Sequence, residues 1–200
     1  MRFGTRGPGE DNKKPHFTRD IIKIDWYTQQ INSELEQFQM LIADSPIERV
    51  IEIGSAGGGT TALWALIGTQ VISVDLGLPE KCYKGDTEIE NKVVNVIGNS
   101  RDDRTIEEVR RVLDGKKVDL LFIDGDHTYL GAELDFLNYK QFVEDYGIIA
   151  FHDISRLIPD LWEHIRSQSL IAWEIRHVPE LRHNGIGVIR YDSKVVYRIK

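Results

Sequence analysis

Cysteine is nearly absent: Cys82 stands alone among 200 residues. One thiol cannot close an internal disulfide, which suits a reducing compartment, and Cys82 reads as a surface-loop or packing thiol. Long apolar runs are also missing, and nothing approaches the roughly 20 apolar residues that cross a bilayer. The segment Met1–Pro15 is rich in Gly, Lys, Arg and Asp and lacks the apolar core of a signal peptide. Nor is there a basic excess. Lys and Arg number 25 against 32 Asp and Glu, a formal charge of −7, which gives no sign of the basic stripe that marks a nucleic-acid surface. Together these absences predict a soluble, cytoplasmic protein with no membrane partner and no evident nucleic-acid partner. No repeat or low-complexity run interrupts the chain. Its length is enough to bury about 70% of the unfolded surface, so one domain needs no disulfide or metal staple.

What is present is an alternation. Ile31, Leu35, Phe38 and Ile42 recur on one helical face, and Ser45-Pro46 ends that helix. Short apolar runs follow at Val50–Ile53, Val71–Val74, Val93–Ile97, Val118–Ile123 and Ile148–Phe151. Each is nearly continuous in hydrophobicity, as expected for strands of a parallel sheet covered on both faces. Helical patterns lie between most of them. One is Thr60–Ile67. Another opens on a capping box at Thr105–Glu108, with Ile106, Val109 and Leu113 on one face. A third is marked by Leu130, Leu134 and Leu137 and closed by Gly147, and a fourth spans Pro159–Ser167. The Leu76–Asn91 link reads mainly as loop. Strand–helix alternation predicts right-handed crossovers in an α/β sheet. The runs Ile171–Arg176, Ile186–Tyr191 and Val195–Ile199 have short connections, so the sheet should finish with antiparallel pairing.

Ligands of open α/β sheets bind beyond the carboxyl ends of the strands. The first run ends in Gly54-Ser-Ala-Gly-Gly-Gly59 and the second in Asp75. The third ends in Gly98, Asn99 and Ser100, the fourth in Asp124, Gly125, Asp126 and His127, and the fifth in His152 and Asp153. Five such endings on one edge point to a binding crevice. The glycines allow a tight turn and close approach of a ligand to a helix N-terminus. Asp75 lies 21 residues after Gly54, a usual separation for an acid that takes ribose hydroxyls. The same loop partly fits a dinucleotide fingerprint, with Ala56 in the second glycine position.

The segment Val50–Thr60 resembles motif I of class I S-adenosylmethionine-dependent methyltransferases, and Asp75 matches the acid after their second strand. Phe122–Tyr129 and Ile149–Asp153 are similar to a branch of small-molecule O-methyltransferases. That branch includes the catechol type and the macrolide and aminocoumarin sugar enzymes, and it is related to a cephalosporin-hydroxylase group. The likeness covers about residues 48–155 and the antiparallel C-terminal strands. It implies a Rossmann-like, doubly wound, mostly parallel seven-stranded sheet with an antiparallel C-terminal strand and helices on both faces. Residues 46–200 would form the methyltransferase domain, with an arm and helix over residues 1–45 belonging to it.

The resemblance also implies roles. Glu52, Gly54, Ser55 and Gly59 would surround the methionine and ribose of S-adenosyl-L-methionine, Asp75 would hold the ribose hydroxyls, and Asn99 and Ser100 would sit near adenine. Asp124, His152 and Asp153 occupy the positions that bind a divalent ion, Mg or Mn, in metal-dependent members. His127 falls where catechol-type enzymes carry a base. Magnesium prefers oxygen donors and imidazole suits softer metals, so three options stay open: another ion, an ion without His152, or no ion. His127 stands equally as base or as helix cap, and Asp126 as cap or site residue. Trp64, Trp162 and Trp173 read as packing residues. Trp26 and Tyr27 are candidates to cover the crevice, and His177 and His183 to line a substrate loop. The expected activity is methyl transfer to a small-molecule hydroxyl, with Asp124 and His127 catalytic. The rivals are a nicotinamide-dependent oxidoreductase, a hydroxylase-like relative and a non-catalytic binding domain. A homo-oligomer could form through the N-terminal helix.

Overall fold

The computed structural model describes residues 30–77, 81–176 and 185–198. Seven strands form one sheet: β1 (Arg49–Ile53), β2 (Gln70–Asp75), β3 (Val93–Ile97), β4 (Val118–Ile123), β5 (Val143–His152), β6 (Ala172–Ile175) and β7 (Ile186–Arg190). Their order is β3-β2-β1-β4-β5-β7-β6. The first five are parallel, while β7 runs antiparallel to both β5 and β6. The helices are α1 (Asn32–Ile42), α2 (Gly59–Ile67), α3 (Thr87–Glu90), α4 (Asp103–Leu113), α5 (Tyr129–Tyr139) and α6 (Pro159–Gln168). The mostly parallel architecture with an antiparallel end agrees with the expectation from strand–helix alternation.

Two apolar layers sandwich the sheet. On one face Leu35 and Phe38 of α1 and Leu63 and Trp64 of α2 pack on Val50, Val71, Leu120 and Phe122. Phe38, Trp64 and Phe122 meet there with ring centroids 5.1–6.1 Å apart. On the other face Val109, Phe136, Leu161 and Trp162 cover Ile51, Ile72, Leu121 and Phe151. Alternate residues of one strand therefore serve opposite cores, so the central strands read as unbroken apolar runs. β3 is an edge strand and only Val96 of it is buried, so the expectation of two-sided cover fails there.

Several expected details are corrected. Thr105 does not cap α4: the helix starts at Asp103 with Asp102 at the N-cap, and Thr105 is a buried inner residue. A Cβ on Gly98 would lie 2.3 Å from its hydroxyl, so the strand end and the helix pack too closely for any larger residue. The buried face of α5 is Ala132, Asp135, Phe136 and Tyr139, while Leu130 is exposed. The leucines flank a buried stripe that carries two aromatic rings. Gly147 lies inside β5 and does not end α5, which passes into a short 3-10 turn at Lys140–Phe142. Val195–Arg198 forms no strand, and Ile199 lies outside the described residues. Trp64 and Trp162 are core residues, whereas Trp173 is partly exposed. No described helix is long and apolar enough to cross a membrane.

β7 carries one sharp packing constraint. A Cβ on buried Gly187 would come within 2.5 Å of the Trp162 ring, itself 1% exposed. Gly187→Ala should therefore lower stability by about 1–3 kcal/mol, read as a lower midpoint of urea unfolding with an unchanged slope.

Candidate active site

The site begins at the turn from β1 to α2. Gly54 and Gly58 have φ of +83° and +84°, a left-handed region that glycine enters without strain. Gly54 also touches the next strand: an added Cβ would sit 2.1 Å from the Asp124 carbonyl oxygen. The turn is held from β2, where Asp75 Oδ2 accepts the amides of Ser55 and Ala56, both at 2.9 Å, and the Ser55 hydroxyl at 3.3 Å. Asp75 Oδ1 accepts the Gly77 amide at 3.1 Å. From the far side, the buried Lys81 ammonium donates to Ser55 Oγ and to the Ala56 carbonyl, both at 2.7 Å. The same segment donates the Cys82 amide to the Gly57 carbonyl at 2.8 Å.

Two cavities meet at this turn. The smaller, about 180 Å³, is lined by the turn itself together with Asp75, Asp124, His127 and Gln30. The larger, about 290 Å³, extends past Leu76 to Asn99, Ser100, Arg101 and Asp126. Gly54, Asp75 and Gly125 border both. The result is an elongated groove across the tips of β1, β2, β3 and β4, with one carboxylate at its waist.

Beyond the smaller cavity lies a cluster of acids and imidazoles. His152 Nδ1 is 2.9 Å from Asp124 Oδ1 and 3.5 Å from Asp153 Oδ1. His127 Nδ1 is 2.8 Å from Asp153 Oδ2 and 4.0 Å from Asp124 Oδ1. Gln30 donates its side-chain amide to Asp124 Oδ2. The Asp153 hydrogen bond holds the His127 pKa above its ordinary value, against the pull of partial burial. Burial of His152 disfavours its charge, but its hydrogen bond to Asp124 and the nearby carboxylates outweigh that and raise its pKa. Asp153 has a φ of +63°, a strained setting for a non-glycine residue and one often found at functional sites.

The cluster suits a divalent cation. Asp124, His152 and Asp153 each offer a ligand atom, and these lie within 4.8 Å of one another. Asp153 Oδ1 and His152 Nε2 are buried without a hydrogen-bond partner. A buried carboxylate oxygen with no donor is costly to maintain, and a cation would satisfy it. Two carboxylates and one imidazole form a mixed donor set, within reach of manganese as well as magnesium.

The strand tips thus bring together Gly54, Ser55, Gly59, Asp75, Asp124 and His127 around the smaller cavity, and Asn99 and Ser100 on the larger. His152 and Asp153 are buried at the end of β5, against Asp124. Glu52 stands apart. It is fully buried behind the turn, accepts from the Thr61 hydroxyl and from Trp64 Nε1 at 3.1 Å, and borders neither cavity. The cap of α5 is Thr128, whose hydroxyl accepts the Gly131 amide at 3.0 Å, so His127 does not cap that helix. Asp126 accepts the Thr128 amide at 3.0 Å and pairs with Arg101 at 2.9 Å. Sequence reasoning missed Lys81 and Gln30. They lie in a loop and beside a helix start, and no spacing links them to the strand tips. Trp26, Tyr27, His177 and His183 lie outside the described residues.

A family profile described as Methyltransferase domain matches residues 51–154, just over half of the 200-residue chain. The chain belongs to this methyltransferase-domain family. Comparison with curated proteins finds no match. Among solved structures, the methyltransferase domain is similar to MycE of the mycinamycin biosynthetic pathway, crystallised with Mg and SAH. The TM-score is 0.54 at 16% identity, over 81% of this chain and 48% of that one. The chain therefore spans about half the length of MycE. It is also similar to an O-methyltransferase from Bacillus cereus in complex with SAH, with a TM-score of 0.59 at 15% identity over 78% and 79% of the two chains. A third is TomG from Streptomyces achromogenes, an O-methyltransferase of tomaymycin synthesis bound to SAM, with a TM-score of 0.59 at 12% identity over 78% of each chain. At these identities the likeness is one of fold. Neither the profile nor these structures supports a nicotinamide-dependent reading.

Glu52 generates a pH prediction for the methyltransferase domain. Burial, opposed by bonds from Thr60, Thr61 and Trp64, pushes its pKa from 4.5 to about 7. The folded state thus binds more protons than the unfolded state between those values, and stability falls as pH rises through them. Glu52→Gln removes this dependence. Its stability relative to wild type should grow by on the order of 3 kcal/mol between pH 4.5 and pH 7, checked by urea unfolding across that range.

Proposed function

We propose that this domain transfers a methyl group from S-adenosylmethionine to a hydroxyl of a small molecule, with a divalent cation at Asp124, His152 and Asp153. The observation that carries the reading is the groove. One carboxylate, Asp75, sits where two cavities join, and Asp124 and His127 line the end of the smaller one. A nucleoside with an amino-acid tail has this division into two parts, and the family match supports a methyl donor of that shape.

In this reading Asp75 holds the ribose hydroxyls through Oδ1, which accepts a single amide, that of Gly77, while Oδ2 takes three donors from the glycine turn. Gly54, Ser55 and Gly59 present the backbone of that turn to the amino-acid tail, Asn99 and Ser100 border the adenine, and Glu52 supports the turn from behind. S-adenosylmethionine supplies a methyl group already activated for displacement, and the cation supplies charge that makes a nearby hydroxyl more acidic. His127 takes the hydroxyl proton. Its Nδ1 is committed to Asp153, which leaves the lone pair on Nε2 and suits a general base. The protein otherwise acts by alignment, and holding reactants in line lowers a barrier by roughly 7–11 kcal/mol at best. Residues 46–200 form the catalytic unit, with α1 packed onto it through Leu35 and Phe38. The lone Cys82 is in keeping with a cytoplasmic setting.

Calorimetry with S-adenosylhomocysteine, NAD and manganese tests the reading. Wild type should bind the first and third and not NAD. Asp75→Ala should weaken S-adenosylhomocysteine about tenfold or more and spare manganese. Asp124→Ala should abolish manganese binding and leave the nucleoside within about threefold. Unchanged nucleoside affinity in Asp75→Ala would refute the ribose assignment.

A further inference from the structure

Asp135 takes no part in the chemistry described so far, yet it is fully buried in the middle of α5. Its Oδ1 accepts the Ser100 hydroxyl at 2.5 Å, while its Oδ2 is buried with no hydrogen-bond partner. Ser100 borders the larger cavity. Gly125, at the end of β4, packs closely beside it: a Cβ there would lie 3.2 Å from Asp135 Oδ2 and 3.0 Å from Ile53. A carboxyl group under the floor of a cavity, bonded to one hydroxyl of its wall, is an expensive arrangement for a purely structural role.

A serine hydroxyl has one proton to give and lone pairs to accept with. With its proton on Asp135, Ser100 shows the cavity lone pairs only. Burial raises the pKa of Asp135, against the hydrogen bond from Ser100. Two charged side chains stand beside Ser100 on this wall. Arg101 has Nη1 on Asp126 Oδ2 at 2.9 Å and Nε on Asn99 Oδ1 at 3.3 Å, and Asp126 brings carboxylate oxygens to the same wall.

We infer that Asp135 is a positioning residue that fixes Ser100 as a hydrogen-bond acceptor, and that this pair selects a 6-amino purine over a 6-oxo purine in the larger cavity. The inference rests on the reading of that cavity as the nucleoside end of the site. An adenine ring carries a donor, the N6 amino group, where hypoxanthine carries an acceptor oxygen. An oxygen facing the lone pairs of Ser100 leaves both groups unsatisfied, and the mismatch is penalised more heavily than loss of an ordinary bond.

The test is calorimetric and needs no acceptor substrate. Dissociation constants are measured for S-adenosylhomocysteine and for its deaminated analogue, S-inosylhomocysteine, on wild type, Asp135→Asn and Ser100→Ala. Wild type should prefer the adenine ligand by about tenfold or more. In Asp135→Asn the amide can donate to Ser100, which frees the hydroxyl proton for the cavity, so the preference should fall toward unity. Ser100→Ala should lower the preference as well, and it stands as the test by itself if Asp135→Asn does not fold. A purely structural role would weaken both ligands alike and keep their ratio, which would overturn the inference. Equal affinities on wild type would overturn it too, while leaving the methyl-donor reading intact. Failure of wild type to bind either nucleoside would overturn both.

Discussion

The close approach of β1 and β4 at their carboxyl ends governs the site. The Asp124 amide donates to the Ile53 carbonyl at 2.8 Å, and the Gly54 amide to the Val74 carbonyl at 2.9 Å. Three neighbouring strands are thus tied together just where they end. Gly54 has no room for a side chain against Asp124, so the backbone turns sharply there. The turn opens one cavity on each side of a shared waist. A bulkier residue would separate the β1 and β4 tips and, with them, Asp75 from Asp124.

Acidic groups crowd this edge, and each is stabilised in a different way. Asp75 accepts backbone amides of the turn that precedes α2 and the Ser55 hydroxyl. Glu52 lies in the apolar layer beneath, where desolvation favours its neutral form. Asp135 leans on one serine hydroxyl. Asp124 and Asp153 share two imidazoles and still leave a buried carboxylate oxygen without a hydrogen bond. These carboxylates therefore differ in character because the groups opposite them differ. The pair that remains incompletely satisfied is the pair best suited to a cation.

Much of the fold was readable from residue order. The central strands show as apolar runs because both their faces are covered, and all five parallel runs fall within observed strands. The glycine turn and Asp75 were legible for the same reason: local backbone chemistry demands those residue types at those places. Helix faces were less so. The α5 leucines suggested a stripe that the structure turns toward Phe136 and Tyr139, since burial depends on what the sheet offers opposite. The run beginning at Val195 looked like a strand but finds no sheet edge among the described residues.

By itself, the sequence determined the strand runs, the left-handed glycine turn and the placement of acids and histidines at strand ends, since these depend on hydrophobic period and backbone torsion within a few residues. Tertiary structure alone decided that Glu52 faces the core, that Lys81 closes the turn, that His127 meets Asp153 instead of capping α5, and that Ser100 meets Asp135. Those contacts join segments far apart in the chain. Their energies come from desolvation and hydrogen-bond geometry, which exist only once the sheet has brought the segments together.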